Sequence, residues 1–198
     1  MTAITIRRAA GADITESAGI IARAFAVLPQ THWLVNSGVQ RGQLLHANMT
    51  MWVEHALTHG HVDLAGDFEA VAVWFDRERG PLPLPEDYEE RLRIDCGPWA
   101  ARFRALDEAS DAHHPSGPHH HLAMLAVEPQ HQRRGLGSAL LRHHHAELDR
   151  IGLSAFLEAS TLGNVGLYEA HGYRRVGRPY ELPGDGPQLW PMWRNALI

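Results

Sequence analysis

The segment with the clearest chemical meaning is a glycine-bearing turn between an apolar strand and a helix. The turn has the sequence Gln132-Arg133-Arg134-Gly135-Leu136-Gly137-Ser138. It follows the apolar stretch Leu125-Ala126-Val127. A helix that starts at such a turn presents unpaired backbone N–H groups and the positive end of its dipole. Because glycine has no Cβ atom, an anion can approach its backbone closely. The sequence therefore predicts an anion site, suited to phosphate, at this turn.

Other glycine-rich motifs fit this turn less well. A dinucleotide-binding fingerprint needs a third glycine, where this chain has Leu140. A P-loop needs a Gly-Lys-Ser/Thr sequence, which the chain lacks. Taken by itself, the turn is also compatible with an ordinary entry into an amphipathic helix.

Two titratable residues lie on strands that flank this turn in the sequence. His121 begins the strand His121–Val127, and the period of two puts its side chain on the same face as Ala123, Leu125 and Val127. A histidine titrates near neutrality and suits proton transfer. Glu158 lies within a short apolar strand, where a carboxylate needs a partner or a purpose. It could bind a cationic amine, relay its proton or form a structural salt bridge.

The elements around these residues indicate an α+β fold with a mixed sheet flanked by helices. The apolar periodicity predicts helices at 14–25, 44–57, 135–150 and 164–171, with two further helices at 86–95 and 99–106. It predicts strands near Ile4 and Ile6, and at 61–65, 68–75, 121–127, 155–159, 173–182 and 188–193. The segment 76–118 is the least regular, because Pro81, Pro83 and Pro85 interrupt it.

The bulk properties suit one compact cytoplasmic domain. The chain has 198 residues, 44% apolar composition and a formal charge of −5. No basic block indicates nucleic-acid binding, and no apolar run is long enough for a membrane span. The single cysteine, Cys96, permits no internal disulfide, which favours a reducing compartment. The stretch from Met1 to Arg8 has no signal-peptide core.

Several motifs in this order resemble the GNAT superfamily of acetyltransferases. Gln132-x-x-Gly135-x-Gly137 is similar to that family's acetyl-CoA pyrophosphate loop. The stretches before and after it are similar to the family's central strand, its next strand and its last helix. These stretches are Leu125-Ala126-Val127-x-Pro129, Phe156-Leu157-Glu158-Ala159-Ser160 and Asn164-x-x-x-Tyr168-Glu169-x-x-Gly172-Tyr173. The matching block covers residues 119–175, and a looser similarity to the puromycin N-acetyltransferase branch extends over most of the chain.

The resemblance implies an acetyl-CoA-dependent N-acetyltransferase with direct transfer in a ternary complex. The pyrophosphate would bind the backbone of Arg133 to Ser138, with the arginine side chains and the Ser138 hydroxyl assisting. Leu125, Ala126 and Val127 would offer backbone groups to the pantetheine arm, and the Leu125 amide would polarise the thioester carbonyl. Asn164 would also contact the cofactor. Tyr168 would protonate the departing thiolate, and His121, with Glu158 as its rival, would take the proton of the amine.

The acceptor is left open by the sequence. The branch resemblance implies a small-molecule primary amine and an antibiotic-resistance-like role, while a protein N-terminus, a lysine or an inert acyl-CoA-binding module are the alternatives. We expect one domain over 1–198, with 1–118 mainly on the acceptor side and 119–198 carrying the acetyl-CoA side and the C-terminal strands. A homodimer is compatible with the sequence. The histidine runs lack zinc-site spacing, so no functional metal is expected.

Overall fold

The protein folds around one eight-stranded sheet. The structure, a computed structural model, describes residues 4–197. The first part of the N-terminal stretch considered above, residues 1–3, therefore lies outside the described residues. The strands are β1 (Ile6–Arg8), β2 (Gly60–Ala65), β3 (Ala70–Asp76), β4 (His119–Val127), β5 (Ser154–Ala159), β6 (Arg174–Arg175), β7 (Tyr180–Glu181) and β8 (Gln188–Arg194).

Seven α-helices connect or cover these strands within the described residues. A π-helical turn at Leu92–Cys96 and a 3-10 turn at Gly97–Trp99 join the fourth helix to the fifth. The helices are α1 (Ile14–Phe25), α2 (Pro29–Leu34), α3 (Gly38–His59), α4 (Tyr88–Arg91), α5 (Ala100–Ala112), α6 (Leu136–Ile151) and α7 (Leu162–Glu169).

The sheet is antiparallel except at its centre. The strand order is β1-β2-β3-β4-β5-β8-β6, and β7 pairs with β8 outside this path. The pair β4–β5 is parallel, and α6 forms the crossover between its two strands. The fold class predicted from the sequence, an α+β domain with a mixed and mostly antiparallel sheet, is confirmed.

Two apolar layers lie on opposite faces of the sheet. One contains α1 and α3, whose Ile20, Leu45 and Val53 pack with Val71 and Val73 of β3. The other contains α6 and α7 and is built around larger buried side chains of β3, α6, β5, α7 and the loop after α7: Trp74, Leu140, Leu141, Leu157, Val165 and Tyr173. The alternation of side chains along β3 explains how one strand serves both layers.

The predicted elements differ most from the structure between residues 76 and 118. The helix expected at 86–95 is a single α-turn that continues as a π-turn. The helix expected at 99–106 extends to Ala112, because no proline or glycine interrupts residues 100–112. The long strand expected at 173–182 consists of two short ones, β6 and β7, since Gly177 with its φ of 68° and Pro179 lie between them.

Within residues 4–197, the helices are too short or too polar to cross a bilayer.

Candidate active site

Strands β4 and β5 pair only over part of their length. Pairing begins with His119 opposite Ser154 and ends with Leu122 opposite Leu157. Beyond that point the pairing of β5 continues on its other side, with β8. The edge of β4 that faces β5 thus has no strand partner from Ala123 onward among the described residues. The sheet opens there into a cleft.

A β-bulge in β4 lies where the two strands separate. Met124 lies opposite Val73 and Leu122 lies opposite Trp74, which makes Ala123 an extra residue without a partner on β3. A bulge bends its strand and increases the local twist. It also reverses the alternation of side chains, so that residues before and after Ala123 are out of phase.

Because of this bulge, the side chain of His121 lies on a different face of the sheet from the one that the sequence predicted. Leu125 and Val127 face α6, where their side chains lie 3.6 and 3.7 Å from the position that a Cβ atom on Gly137 would take. His121 lines a cavity on the other face of the sheet. The prediction that these three side chains share one face is wrong, because the period-two rule counts no extra residue.

The backbone of β4 supplies hydrogen-bonding groups to the cleft. The amide of Glu128 donates to the carbonyl of Glu69 on the β3 side, at 2.9 Å. Because successive N–H groups of a strand point in opposite directions, the N–H groups of Leu125 and Val127 point the other way, toward the cleft. They are available there to a ligand that extends alongside β4.

The start of α6 lies beside the same end of β4. Gly135 and Arg133 have φ values of 84° and 61°, a left-handed geometry that glycine adopts without strain. The first hydrogen bond of α6 runs from the amide of Ala139 to the carbonyl of Gly135 at 2.9 Å. The N–H groups of Leu136, Gly137 and Ser138 therefore have no acceptor within the helix.

The side chains of the turn are mostly exposed. Gln132, Arg133 and Arg134 are open to solvent, and Gln132 also donates to the carbonyl of Val127 at 3.2 Å. The hydroxyl of Ser138 lies 2.9 Å from Nε2 of His171. A helix start with free amides and two adjacent guanidinium groups suits a pyrophosphate.

Helix α7 lies on the other side of the cleft, after β5. Thr161 caps it by accepting a hydrogen bond from the amide of Asn164 at 3.2 Å. Tyr168 is buried and packs edge-on against Tyr173 with ring centroids 5.9 Å apart. Burial raises the pKa of Tyr168 to about 12, which keeps its phenol protonated at physiological pH.

A cavity of about 460 Å³ lies on the face of the sheet opposite α6. Its wall is mainly apolar and aromatic, and polar groups are set into it at a few positions. The apolar lining comes from α1, α2 and the residue before it, α3, β3 and the loop after it, α5, β4 and β8: Phe25, Leu28, Leu34, Met49, Trp52, Phe75, Leu82, Pro83, Leu84, Leu106, Ala123, Met124 and Leu189. Such a wall with a few polar groups is typical of a small-molecule site.

Glu158 is the carboxylate in the wall of this cavity nearest the point where β5 leaves β4. Its side chain is 9% exposed. Ser110 donates a hydrogen bond to its Oε2 atom at 2.6 Å, and the hydroxyl of Tyr180 donates to Oε1. Burial raises the pKa of Glu158, although these two hydroxyl groups oppose the change. The carboxylate is therefore a stronger base than an exposed glutamate.

His121 lies next to Glu158, with 3.8 Å between its Nε2 atom and Oε2 of the carboxylate. Burial lowers the pKa of His121 well below its usual range, and His114 nearby adds to this effect. Its ring lies 5.5 Å from that of Phe156, centroid to centroid. The imidazole is thus neutral at physiological pH and a weaker base than a solvated histidine.

Several polar residues of the cavity were not found by sequence reasoning. Ser110 and Asp107 fall in the segment that prolines made hard to interpret. Tyr180, which contacts Glu158 but does not line the cavity, looked like a residue of an ordinary strand. Gln30 follows a proline at the start of α2 and gave no signal. A spacing of three residues between Asp107 and Ser110 on a helix was the one available sign that both share a face.

The histidine run of α6 contributes to packing. His144 and His145 are buried, whereas His143 is exposed. His144 stacks on Trp74 with 4.1 Å between ring centroids, and His145 contacts the hydroxyl of Tyr173 at 3.0 Å. Elsewhere, ligand-type atoms of Asp76, Glu78 and His120 lie within 4.8 Å of one another. The expectation of no functional metal stays a prediction.

Comparisons with known proteins agree with this geometry. Residues 100–175 match the model of the acetyltransferase (GNAT) domain. The structure is similar over 100% of this chain and 98% of the other to a Corynebacterium glutamicum protein described as histone acetyltransferase HPA2 and related acetyltransferase, with a TM-score of 0.75 and 25% identity. It is similar in fold to arylalkylamine N-acetyltransferase 2 of Aedes aegypti, with a TM-score of 0.64 and 12% identity over 99% of this chain and 100% of the other.

A sequence relative is the [ribosomal protein bS18]-alanine N-acetyltransferase of Escherichia coli. The two are 37% identical over 67 residues, which are 31% of this chain. The match spans 45% of the length of that enzyme. These relatives are named for substrates other than puromycin, and the likeness to the puromycin branch stays a prediction. The expected single domain with a GNAT-like fold is confirmed.

Proposed function

We propose that this chain, a member of the GNAT superfamily of acetyltransferases, transfers the acetyl group of acetyl-CoA directly to a small-molecule primary amine in a ternary complex. The observation that carries the proposal is the cavity of about 460 Å³ beside the cleft between β4 and β5, with Glu158 in its wall. A cavity of this size suits a small molecule, and a buried carboxylate suits a cationic one.

The residues of the cleft fit acetyl-CoA. The free N–H groups at the start of α6, with Arg133 and Arg134 beside them, would hold the pyrophosphate. Leu125 and Val127 would bind the pantetheine arm through their backbone, as a neighbouring strand would. Ala126, between these two residues, would keep their N–H groups on the same edge of the strand. Gln132, Leu136, Ser138 and Asn164 would complete the binding surface. Acetyl-CoA would supply the acetyl group activated as a thioester.

The chain's own groups then have to manage one proton at each end of the transfer. The amine must lose its proton before its lone pair can form the new bond to the carbonyl carbon, because a lysine-like amine has a pKa of about 10.4. The carbon–sulfur bond breaks as the carbon–nitrogen bond forms. The N–H of Leu125 would stabilise the oxygen that becomes negative, and Tyr168 would protonate the departing sulfur.

Glu158 is the better candidate for the base. Burial raises its pKa and lowers that of His121, so the carboxylate gains proton affinity where the imidazole loses it. Ser110 and Tyr180 each donate a hydrogen bond to one of its carboxylate oxygens and so fix its orientation. His121, 3.8 Å away, would hold the carboxylate and the amine in position. This assignment reverses the order of preference that the sequence suggested.

A protein N-terminus is the second candidate acceptor, because the relative from Escherichia coli is named for acetylating an alanine of ribosomal protein bS18. That match covers 31% of this chain. An inert acyl-CoA-binding module would not need a buried carboxylate in such a cavity.

The test is turnover of a panel of amines with purified protein and acetyl-CoA, measured by thiol release and by the mass of the product. The chain contains no lysine, so its own side chains offer no competing amine. We expect small amines to be acetylated and a peptide with an N-terminal alanine to react at least tenfold more slowly.

The variant Tyr168→Phe serves as the internal check on catalysis. We expect turnover to fall by roughly a hundredfold with cofactor binding retained, because the ring stays and the proton donor is lost. If no amine and no peptide reacts while acetyl-CoA binds, the protein is a binding module and the proposal is wrong.

A further inference from the structure

The cavity lining contains more negatively charged side chains than positively charged ones. Arg77 pairs with Asp111 at 3.5 Å, and Arg104 pairs with Glu89. Three further carboxylates of the lining, Asp107, Glu108 and Glu158, have no arginine within ion-pair distance among the described residues. With His121 neutral, the inner part of the cavity carries excess negative charge. A ligand that fills it has to bring the compensating positive charge.

Asp107 is not used by the acetyl transfer described above. Its carboxylate accepts a hydrogen bond from the hydroxyl of Tyr88 at 2.6 Å. Burial raises the pKa of Asp107 to about 7, and Glu108 contributes to the rise. A carboxylate that is half-buried at a cavity wall without a cation is destabilised until a cation reaches it.

Asp107 lies about one helical turn along α5 from Ser110, which is the hydrogen-bond partner of Glu158 on β5. Asp107 and Ser110 belong to α5 with a spacing of three residues, which places their Cβ atoms about 5 to 6 Å apart. Ser110 in turn holds Oε2 of Glu158 at 2.6 Å. The carboxylates are therefore separated by on the order of 5 to 10 Å. A chain of about four carbons between two nitrogens covers such a distance, since each carbon–carbon bond is about 1.5 Å long.

An orphaned amide oxygen in the same wall also calls for a donor. Gln30 is 5% exposed, and its Nε2 atom donates to the carbonyls of Ser160 and Gln188 at 2.7 and 3.1 Å. These two bonds fix the orientation of the amide, and its Oε1 atom is buried without a partner. Leaving a buried acceptor unsatisfied costs about 1 to 3 kcal/mol. An N–H group of a bound ligand would satisfy it.

We propose that the acceptor is a dicationic amine, in which the reacting nitrogen lies at Glu158 and a second ammonium or guanidinium group, about four carbons away, is held by Asp107. This rests on the proposed function of the cavity. Tyr88 positions the Asp107 carboxylate, and the apolar wall covers the carbon chain between the two cations. The two carboxylates do not single out one diamine, but they disfavour amines that carry one positive charge.

The experiment compares matched acceptors with purified protein and acetyl-CoA. The probes are 1,4-diaminobutane and agmatine, against n-butylamine, with 1,2-diaminoethane as a short-chain control. We expect kcat/KM for the two longer dications to exceed that for n-butylamine by about a hundredfold or more, mainly through KM. The ammonium and guanidinium probes show which second cation the site prefers.

The variant Asp107→Asn tests the assigned carboxylate. We expect the ratio of kcat/KM for 1,4-diaminobutane to that for n-butylamine to fall to within about fivefold of unity. Glu86→Gln removes one exposed charge from the loop before α4 and should leave this ratio as in the wild type. Thermal melting establishes that both variants are folded. Stabilisation of the CoA complex by 1,4-diaminobutane, lost in Asp107→Asn, gives a second readout independent of turnover.

The outcomes separate this inference from the proposed function. If n-butylamine and the dications react equally well, and Asp107→Asn leaves the ratio unchanged, the second-cation site is wrong while the acetyltransferase stands. If none of the amines reacts, the proposed function fails before the question of a second cation arises.

Discussion

Glu158 and His121 face each other across 3.8 Å, and their surroundings displace their pKa values in opposite directions. The same burial acts on both, because an apolar environment disfavours the charged form of either group. Burial makes the Glu158 carboxylate a stronger base and the His121 imidazole a weaker one. Residue type alone therefore gives the wrong ranking of the two as proton acceptors.

The pH dependence of kcat/KM distinguishes the two residues. We expect Glu158→Gln to lower kcat/KM by about a hundredfold or more at pH 7 and to shift the ascending limb to higher pH, where bulk water deprotonates the amine. His121→Ala should lower the rate by less than about tenfold and leave the limb in place. The opposite pattern, a lost limb in His121→Ala and only a raised KM in Glu158→Gln, would make the histidine the base.

At the scale of elements, the cleft depends on how β4 is built. The extra residue Ala123 bends the strand, and pairing with β5 stops at Leu122. The free N–H groups of Leu125 and Val127 then lie close to the start of α6, whose Gly137 packs against both side chains. One strand and one helix end thus form a continuous surface for an extended, phosphate-bearing ligand.

The local structure of this strand–turn–helix unit could be predicted from the sequence, whereas contacts between residues distant in sequence could not. The strand–turn–helix unit around Gly135 is local, so its glycines and apolar spacing reveal it. The bulge at Ala123 leaves no mark, because alanine fits either face of a strand. The wall of the cavity brings together α2, α5 and β5, and no local pattern predicts that Ser110 contacts Glu158, 48 residues away in the sequence.

The start of α6 gives a prediction about cofactor binding. Saturating acetyl-CoA at about a hundred times Kd should stabilise the protein by about 2.7 kcal/mol, which raises Tm by roughly 5 to 10 °C. Gly137→Val should keep the fold, because a Cβ atom there meets ordinary contacts at 3.6 Å or more. We expect this variant to lose the rise in Tm, because the added methyl groups obstruct the close approach of the cofactor to the start of α6. The measurement is thermal melting with and without acetyl-CoA.

Gly42→Val is the matched control for that experiment. Gly42 lies on the exposed side of α3, where an added Cβ meets nothing within 4 Å. This substitution should change the helix propensity by a similar amount and retain the full rise in Tm on adding acetyl-CoA. A full shift in a folded Gly137→Val protein would remove this glycine from the cofactor site.

At the scale of the whole molecule, the many histidines couple stability to pH. Burial lowers the pKa of eight of the fifteen histidines. Several of them are neutral groups that serve as packing or hydrogen-bonding partners, as His144 does beside Trp74. A fold that holds histidines neutral binds fewer protons than the unfolded chain below pH 6.5, so acid must destabilise it.

The run His143-His144-His145 on α6 allows this coupling to be tested within one helix. Burial lowers the pKa of His145 to about 3, so its contribution to stability is complete above the unfolded value of about 6.5 and is lost progressively as the pH falls toward 3. The loss amounts to at most about 1.4 kcal/mol per pH unit for one group.

His145→Gln keeps a polar partner for the Tyr173 hydroxyl and cannot be protonated. We expect its free energy of unfolding, measured with urea from pH 7 to pH 5, to fall less steeply than that of the wild type. His143→Gln, at an exposed position of the same run, should follow the wild-type slope. Equal slopes for all three proteins would show that His145 is not held neutral by the fold.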